Sequence, residues 1–161
     1  MARILIVGCG CRGRALATAL IEAGHPVRGT TRLPEALGAI EAVGAEAVVA
    51  DPYRLATLMP HVANTSALVW LMGSAAGDDV EALHGARLQT VLERLVDTMV
   101  RGLVYEAAGT VADDVLREGA AAVRAARTRW HMPTEVVDAD PGDQPVWLDA
   151  MLLAVERLLT D

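Results

Sequence analysis

Strand-length apolar runs alternate with helix-patterned segments along this whole sequence, and no other feature constrains its fold as strongly. Ile4-Leu5-Ile6-Val7 opens the series and reads as a buried strand. Further strands are predicted over Pro26 to Thr31, Ala45 to Ala50, Ser66 to Met72, Gly102 to Glu106 and Thr134 to Asp138. Helical patterns lie between them. Arg12 to Ala23 carries Leu16, Ala19, Leu20 and Ala23 on one face, with Gly24 at its cap. Others run from Pro34 to about Val43, from Asp51-Pro52 to about His61, from about Asp79 to Val100, and from Asp113 to about Trp130. A closing amphipathic helix carries Leu148, Met151, Leu152, Val155, Leu158 and Leu159. Alternation of this kind points to a parallel sheet with helices on both faces, and right-handed crossovers make it doubly wound. The expected fold is α/β: one doubly wound domain over residues 1–161, with six parallel strands in the order 3-2-1-4-5-6 and nothing left over for a separate substrate domain.

Composition narrows the chemistry. All 14 Lys-or-Arg positions are Arg, and Phe is absent as well. A high-GC genome accounts for such a bias. Even so, it removes any Schiff-base lysine, any Walker-type phosphate-binding lysine and any catalytic Tyr/Lys pair. With 53% apolar and 22% charged residues, the chain is a folding one and not a disordered one. A net charge of −7 makes nucleic acid and anionic membranes poor partners. No apolar run reaches the roughly 18 residues of a membrane span. Cys9 and Cys11, the two cysteines, form neither a disulfide framework nor a zinc site, and no metal is expected. Gly8, Arg12, Gly13 and Arg14 interrupt any signal-peptide core, so a cytoplasmic protein is expected.

Gly8-Cys9-Gly10-Cys11-Arg12-Gly13 is a G-x-G-x-x-G loop that leaves the first strand and opens a helix. That context identifies a Rossmann dinucleotide loop. Gly8 permits the tight turn, Gly10 the approach of a pyrophosphate, and Gly13 close packing of helix on strand. The free N–H groups at the helix N-terminus, Cys11 and Arg12 among them, complete the phosphate cradle.

An NAD site carries Asp or Glu at the end of the second strand, bonded to the ribose 2′-hydroxyl. Here that segment is Arg28-Gly29-Thr30-Thr31-Arg32. Arg32 suits a 2′-phosphate, Thr30 and Thr31 offer hydroxyls, and Arg12 is positioned to assist, so NADP is expected over NAD. Asp51, after the third strand, either receives the adenine amino group or caps the next helix. Gly73 and Ser74 open a small-residue loop after the fourth strand, with room for ribose and nicotinamide.

The ordered set of motifs resembles the atypical branch of the short-chain dehydrogenase/reductase superfamily, the NmrA-like and flavin-reductase-like proteins. The glycine loop, Val27 to Arg32, Val48-Val49-Ala50-Asp51, His84-Gly85-Ala86-Arg87, Arg101 to Ala108 and Pro133 to Val137 carry the resemblance. It implies an NAD(P)-binding Rossmann domain. The superfamily's catalytic Ser, Tyr and Lys are missing. Ala107-Ala108 stands where the serine pair is usual, Tyr105 is followed four residues on by Gly109, and Tyr53 by Thr57.

Glu106, Ser74, Tyr105 and His84 are the polar candidates nearest the carboxyl edge of the sheet, with Glu106 either facing the ligand crevice or standing as a solvated loop residue, and His84 expected on a helix surface. Three readings stay open. One is a small NADPH-dependent reductase acting on a small-molecule acceptor without the Tyr/Lys dyad. The second is a non-enzymatic dinucleotide-binding sensor or partner module. The third is an oligomeric scaffold. The apolar stripe Leu88, Val91, Leu92, Leu95, Val96 and Met99 is a candidate homodimer face.

Overall fold

The computed structural model describes residues 2–161. Its strands are β1 (Ile4–Val7), β2 (Val27–Thr31), β3 (Glu46–Val49), β4 (Ala67–Trp70), β5 (Gly102–Glu106) and β6 (Thr134–Val137). They form one sheet in the order β3-β2-β1-β4-β5-β6, and every pairing is parallel. Val7 pairs with Trp70, Trp70 with Tyr105 and Tyr105 with Val136. The carboxyl ends therefore finish along one edge. The direction in which successive strands are added to the sheet reverses between β1 and β4, the switch point where doubly wound sheets bind ligands.

Successive residues of a strand face opposite sides, and both sides are apolar here. Ile4 and Ile6 pack with Val69 and Val104 against α1 (Cys11–Glu22), α2 (Leu37–Glu41) and α6 (Gln144–Thr160). Leu5 and Val7 pack with Leu68, Trp70 and Leu103 against α3 (Leu55–Leu58), α4 (Ala86–Leu95) and α5 (Asp113–Trp130). No helix among the described residues is long and apolar enough to cross a membrane.

The helices expected over 34–43, 51–61 and 79–100 are shorter than their patterns suggest. Pro34–Ala36 is a 3-10 turn that precedes α2. Asp51 accepts the Tyr53 amide at 2.9 Å on its own side chain, an Asx turn that holds the chain out of helix until Leu55. Asp51 therefore does not cap α3. Pro60 lacks an N–H, and the segment Met59–Val62 continues as 3-10 helix. The third pattern breaks at Gly85, whose φ of −116° and ψ of −107° lie outside the helical region, between the 3-10 turn Val80–Leu83 and α4. At the far end the Thr98 hydroxyl accepts the Val100 amide at 3.2 Å and competes with helix continuation.

Leu88, Val91, Leu92 and Leu95 are fully buried in the core on the α4 and α5 side of the sheet. Val96 and Met99 stay exposed, beyond the end of α4. Packing on the chain's own sheet thus accounts for four of the six residues anticipated as a dimer face, and Val96 and Met99 remain exposed.

Close packing of the loop after β1 and of α2 over β2 depends on a missing side chain. A Cβ on Gly29 would lie 2.7 Å from Cys9 Sγ and 3.1 Å from Ile40 Cγ2. Burial raises the Cys9 thiol to about 11, so this sulfur is packing and not a reactive centre. Gly29→Ala is expected to cost about 1–3 kcal/mol by overpacking. Adding Cys9→Ala should recover part of that loss, as read from urea unfolding of the single and double variants.

Candidate functional site

The loop after β1 is held open by its glycines and by β2. Gly8 has φ +87°, a conformation that favours glycine. Its amide donates to Thr30 Oγ1 at 3.2 Å, and the Cys9 amide donates to the Thr30 carbonyl at 2.9 Å. Thr30 is thereby buried as a loop anchor. Thr31 is also engaged, its hydroxyl accepting the Leu33 amide at 3.1 Å. A Cβ on Gly10 would meet nothing within 4 Å, whereas one on Gly13 would come within 3.1 Å of the Gly8 carbonyl. Gly10 thus faces open space while Gly13 is the contact of helix on strand. Gly10 is also the N-cap of α1 and offers no side-chain cap, leaving first-turn N–H groups available to a ligand.

This loop forms the wall of a cleft of about 410 Å³. Arg14, Arg32 and Cys11 line it, with Thr30 and Thr31 from β2 and its loop, Pro52 and Tyr53 beyond β3, and Ser74 beyond β4. Arg32 is exposed, Arg14 half-buried, and neither has a carboxylate partner among the described residues. Arg14 went unnoticed in the sequence. Its signal is its place in the first turn of α1, immediately after the last glycine.

Glu106 departs most from expectation. Its side chain is fully buried and does not line the cleft. Arg12 Nη2 donates to Oε1 at 2.8 Å and to Oε2 at 3.0 Å, and Arg12 Nε donates to Oε2 at 3.3 Å. The Gly73 amide donates to Oε1 at 3.0 Å, and Trp147 Nε1 to Oε2 at 3.0 Å. Arg12 is thereby tied towards β5 while still bordering the cleft, where Arg14 and Arg32 are the arginines without a carboxylate partner. Trp147, on α6, is itself fully buried.

Tyr105 and His84 form a second buried group. His84 lies in the turn between Leu83 and α4, only 1% exposed, and not on a helix surface. The Met72 carbonyl sits 2.9 Å from His84 Nε2, so that nitrogen carries the proton and donates. Nδ1 is then the acceptor for the Tyr105 hydroxyl at 2.6 Å. Burial lowers the His84 pKa below 6.5, against an opposing contribution from the Met72 bond. Burial also pushes the Tyr105 phenol well up, reinforced by the neighbouring Glu106 charge. Neither group borders the cleft.

Ser74 borders the cleft, and its hydroxyl accepts the Thr110 amide at 3.3 Å. The chain therefore brings the glycine loop, Thr30, Thr31, Arg32 and Ser74 to one cleft, while Glu106, Tyr105 and His84 stand behind its floor. Asp51 Oδ1 is engaged in its Asx turn, and Asp51 is not among the residues lining the cleft.

No family model matches the sequence, and no curated protein sequence does. Solved structures match the fold. BdcA of E. coli superposes with a TM-score of 0.73 at 19% identity, over 94% of this chain and 88% of its own. An NAD-dependent epimerase/dehydratase of Bacillus halodurans gives 0.68 at 23%, over 87% and 71%. A short-chain dehydrogenase/reductase superfamily protein of Agrobacterium tumefaciens, solved with bound NAD, gives 0.68 at 21%, over 83% of this chain and 48% of its own. This chain thus spans about half the length of that protein. The fold is the Rossmann fold of short-chain dehydrogenase/reductase structures.

Two outcomes follow from the buried groups. Glu106→Ala leaves Arg12, Gly73 N–H and the Trp147 indole without an acceptor and should cost about 3–5 kcal/mol in chemical unfolding. Adding Arg12→Ala should cost little more, because the orphaned cation is removed with it. For His84, the folded pKa lies below the unfolded one, so the unfolded chain binds the extra proton. Its contribution to stability is complete above pH about 6.5 and falls as pH drops below that value. Imidazole nitrogen NMR should find the Nε2–H tautomer and a titration midpoint below 6.5.

Proposed function

We propose that this chain is an NADP-binding protein of the short-chain dehydrogenase/reductase type that works by binding, as a sensor or partner module, and not by catalysing hydride transfer. One observation carries the reading: the glycine-loop cleft is lined by two arginines without carboxylate partners, while the acid-base candidates of the carboxyl edge are bonded away behind it.

The residues fit the cofactor. Gly10 leaves the space in which a pyrophosphate approaches the first turn of α1. Arg32, with Arg14 beside the same cleft, supplies the charge for a 2′-phosphate, and β2 ends without the carboxylate that would hold an unphosphorylated ribose. Tyr53 offers a ring edge at the β3 side of the cleft, where an adenine would lie. The bound cofactor would bring hydride chemistry with its nicotinamide. Of the four candidates at the carboxyl edge only Ser74 borders the cleft and could contribute to such a step, since Glu106, Tyr105 and His84 are committed elsewhere. A small reductase lacking the Tyr/Lys dyad is the competing reading, and Ser74 is the feature that favours it.

Titration calorimetry should find NADPH bound more tightly than NADH, with Arg32→Glu weakening NADPH by about tenfold or more and NADH much less. NADPH oxidation against flavins, quinones and small carbonyls should stay at the no-enzyme rate. Turnover with any of them would decide for the reductase.

A further inference from the structure

A doubly wound sheet is two mononucleotide-binding halves, β1 to β3 and β4 to β6, and a dinucleotide lies across both. In this chain the two halves differ. Cleft lining comes from the ends of β1 to β4 and stops at Leu83, so no residue of β5, β6 or their following loops contributes among the described residues. The ends of β5 and β6 do border a recess of about 260 Å³, through Ala107 and Asp138, but it opens against α5 and shares no lining residue with the cleft.

The chain's own contacts fill the ground between. The segment after β4 lies directly on the segment after β5. The Val111 amide donates to the Gly73 carbonyl at 3.0 Å and the Thr110 amide to Ser74 Oγ at 3.3 Å. A methyl group on Gly73 would collide with the Ala108 carbonyl, and one on Gly109 with the Gly73 carbonyl. Gly109 has φ +147°, a conformation that only glycine adopts comfortably. Below this seam Arg12 crosses from the glycine loop to Glu106, and Trp147 closes the same carboxylate from α6.

We infer that the cleft is a half-site. It seats the adenosine, its phosphates and the pyrophosphate of the dinucleotide, and leaves the nicotinamide mononucleotide end outside, without a protein pocket. The inference rests on the dinucleotide reading above and refines it: the recognised chemistry is a phosphorylated adenosine diphosphate, whatever its second half carries.

The test compares ligands on the unmodified chain by calorimetry and nicotinamide fluorescence. The pairs are NADPH with 2′-phospho-ADP-ribose, and NADH with ADP-ribose, so that an error in the 2′-phosphate assignment does not affect the comparison. Within the tighter pair the two affinities should agree within about threefold, reduced nicotinamide mononucleotide should not bind at about 1 mM, and NADPH emission should keep its free intensity and wavelength on binding. A dinucleotide more than about 30-fold tighter than its nicotinamide-free counterpart, with enhanced and blue-shifted emission, would overturn the half-site while leaving the dinucleotide reading intact. Binding of neither member of either pair would overturn the dinucleotide reading itself, and the half-site with it.

Discussion

A carboxylate removed from water must have its lone pairs answered by the protein, and Glu106 is answered by Arg12, Gly73 and Trp147 together. Those donors come from α1, the turn after β4 and α6, so one side chain ties four elements across the switch point. Buried ion pairs are often no more stabilising than an apolar cluster of equal volume, because the desolvation of both charges offsets their attraction. What this one settles is position. Once Arg12 is committed to β5, the first turn of α1 cannot rotate independently of the β4–β5 edge, and the glycine loop inherits that orientation.

The same edge is divided by chemistry. On the β1 to β3 side the cleft presents cationic groups and backbone donors: Arg14, Arg32 and the uncapped start of α1. On the β4 to β6 side Glu106, Tyr105 and His84 have found internal partners, with His84 fixed in one tautomer by Met72 and Tyr105. A site that transfers protons needs groups that can change protonation next to ligand; Glu106, Tyr105 and His84 sit in the core, while Tyr53 and Cys11 border the cleft. The field left facing the cleft suits phosphate.

Pattern reading recovered what local physics determines. β1 and β5 have the limits their apolar runs indicate, and α5 runs from Asp113 to Trp130 as its periodicity requires. The glycine loop was legible because each glycine answers a local need: a positive φ at Gly8, open approach at Gly10, close packing at Gly13. Side-chain fates were not legible. Glu106 stands at a strand end, where a carboxylate commonly meets ligand, and nothing near it in sequence announces Arg12, 94 residues earlier, or the Trp147 indole. His84 sits in a segment with good helical periodicity, and only the break at Gly85 turns it inward. Asp51 illustrates a competition that composition cannot resolve, between capping a helix and closing its own turn.

The seam between the segments after β4 and β5 has a consequence for anyone wishing to redesign this fold. It is made of two glycines, one backbone hydrogen bond and one backbone bond to Ser74, with the Arg12–Glu106 salt bridge beneath, laid over a sheet whose six strands and crossovers are all in place. Nothing in the scaffold itself would have to be rebuilt to part it. Replacing Arg12 and Glu106 together by a complementary apolar pair and lengthening the loop around Gly109 would create vacant volume above strands already facing the right way. Such a chain would be a blank on which a new reaction centre could be written, once other contacts supply the orientation that Arg12 lends the glycine loop.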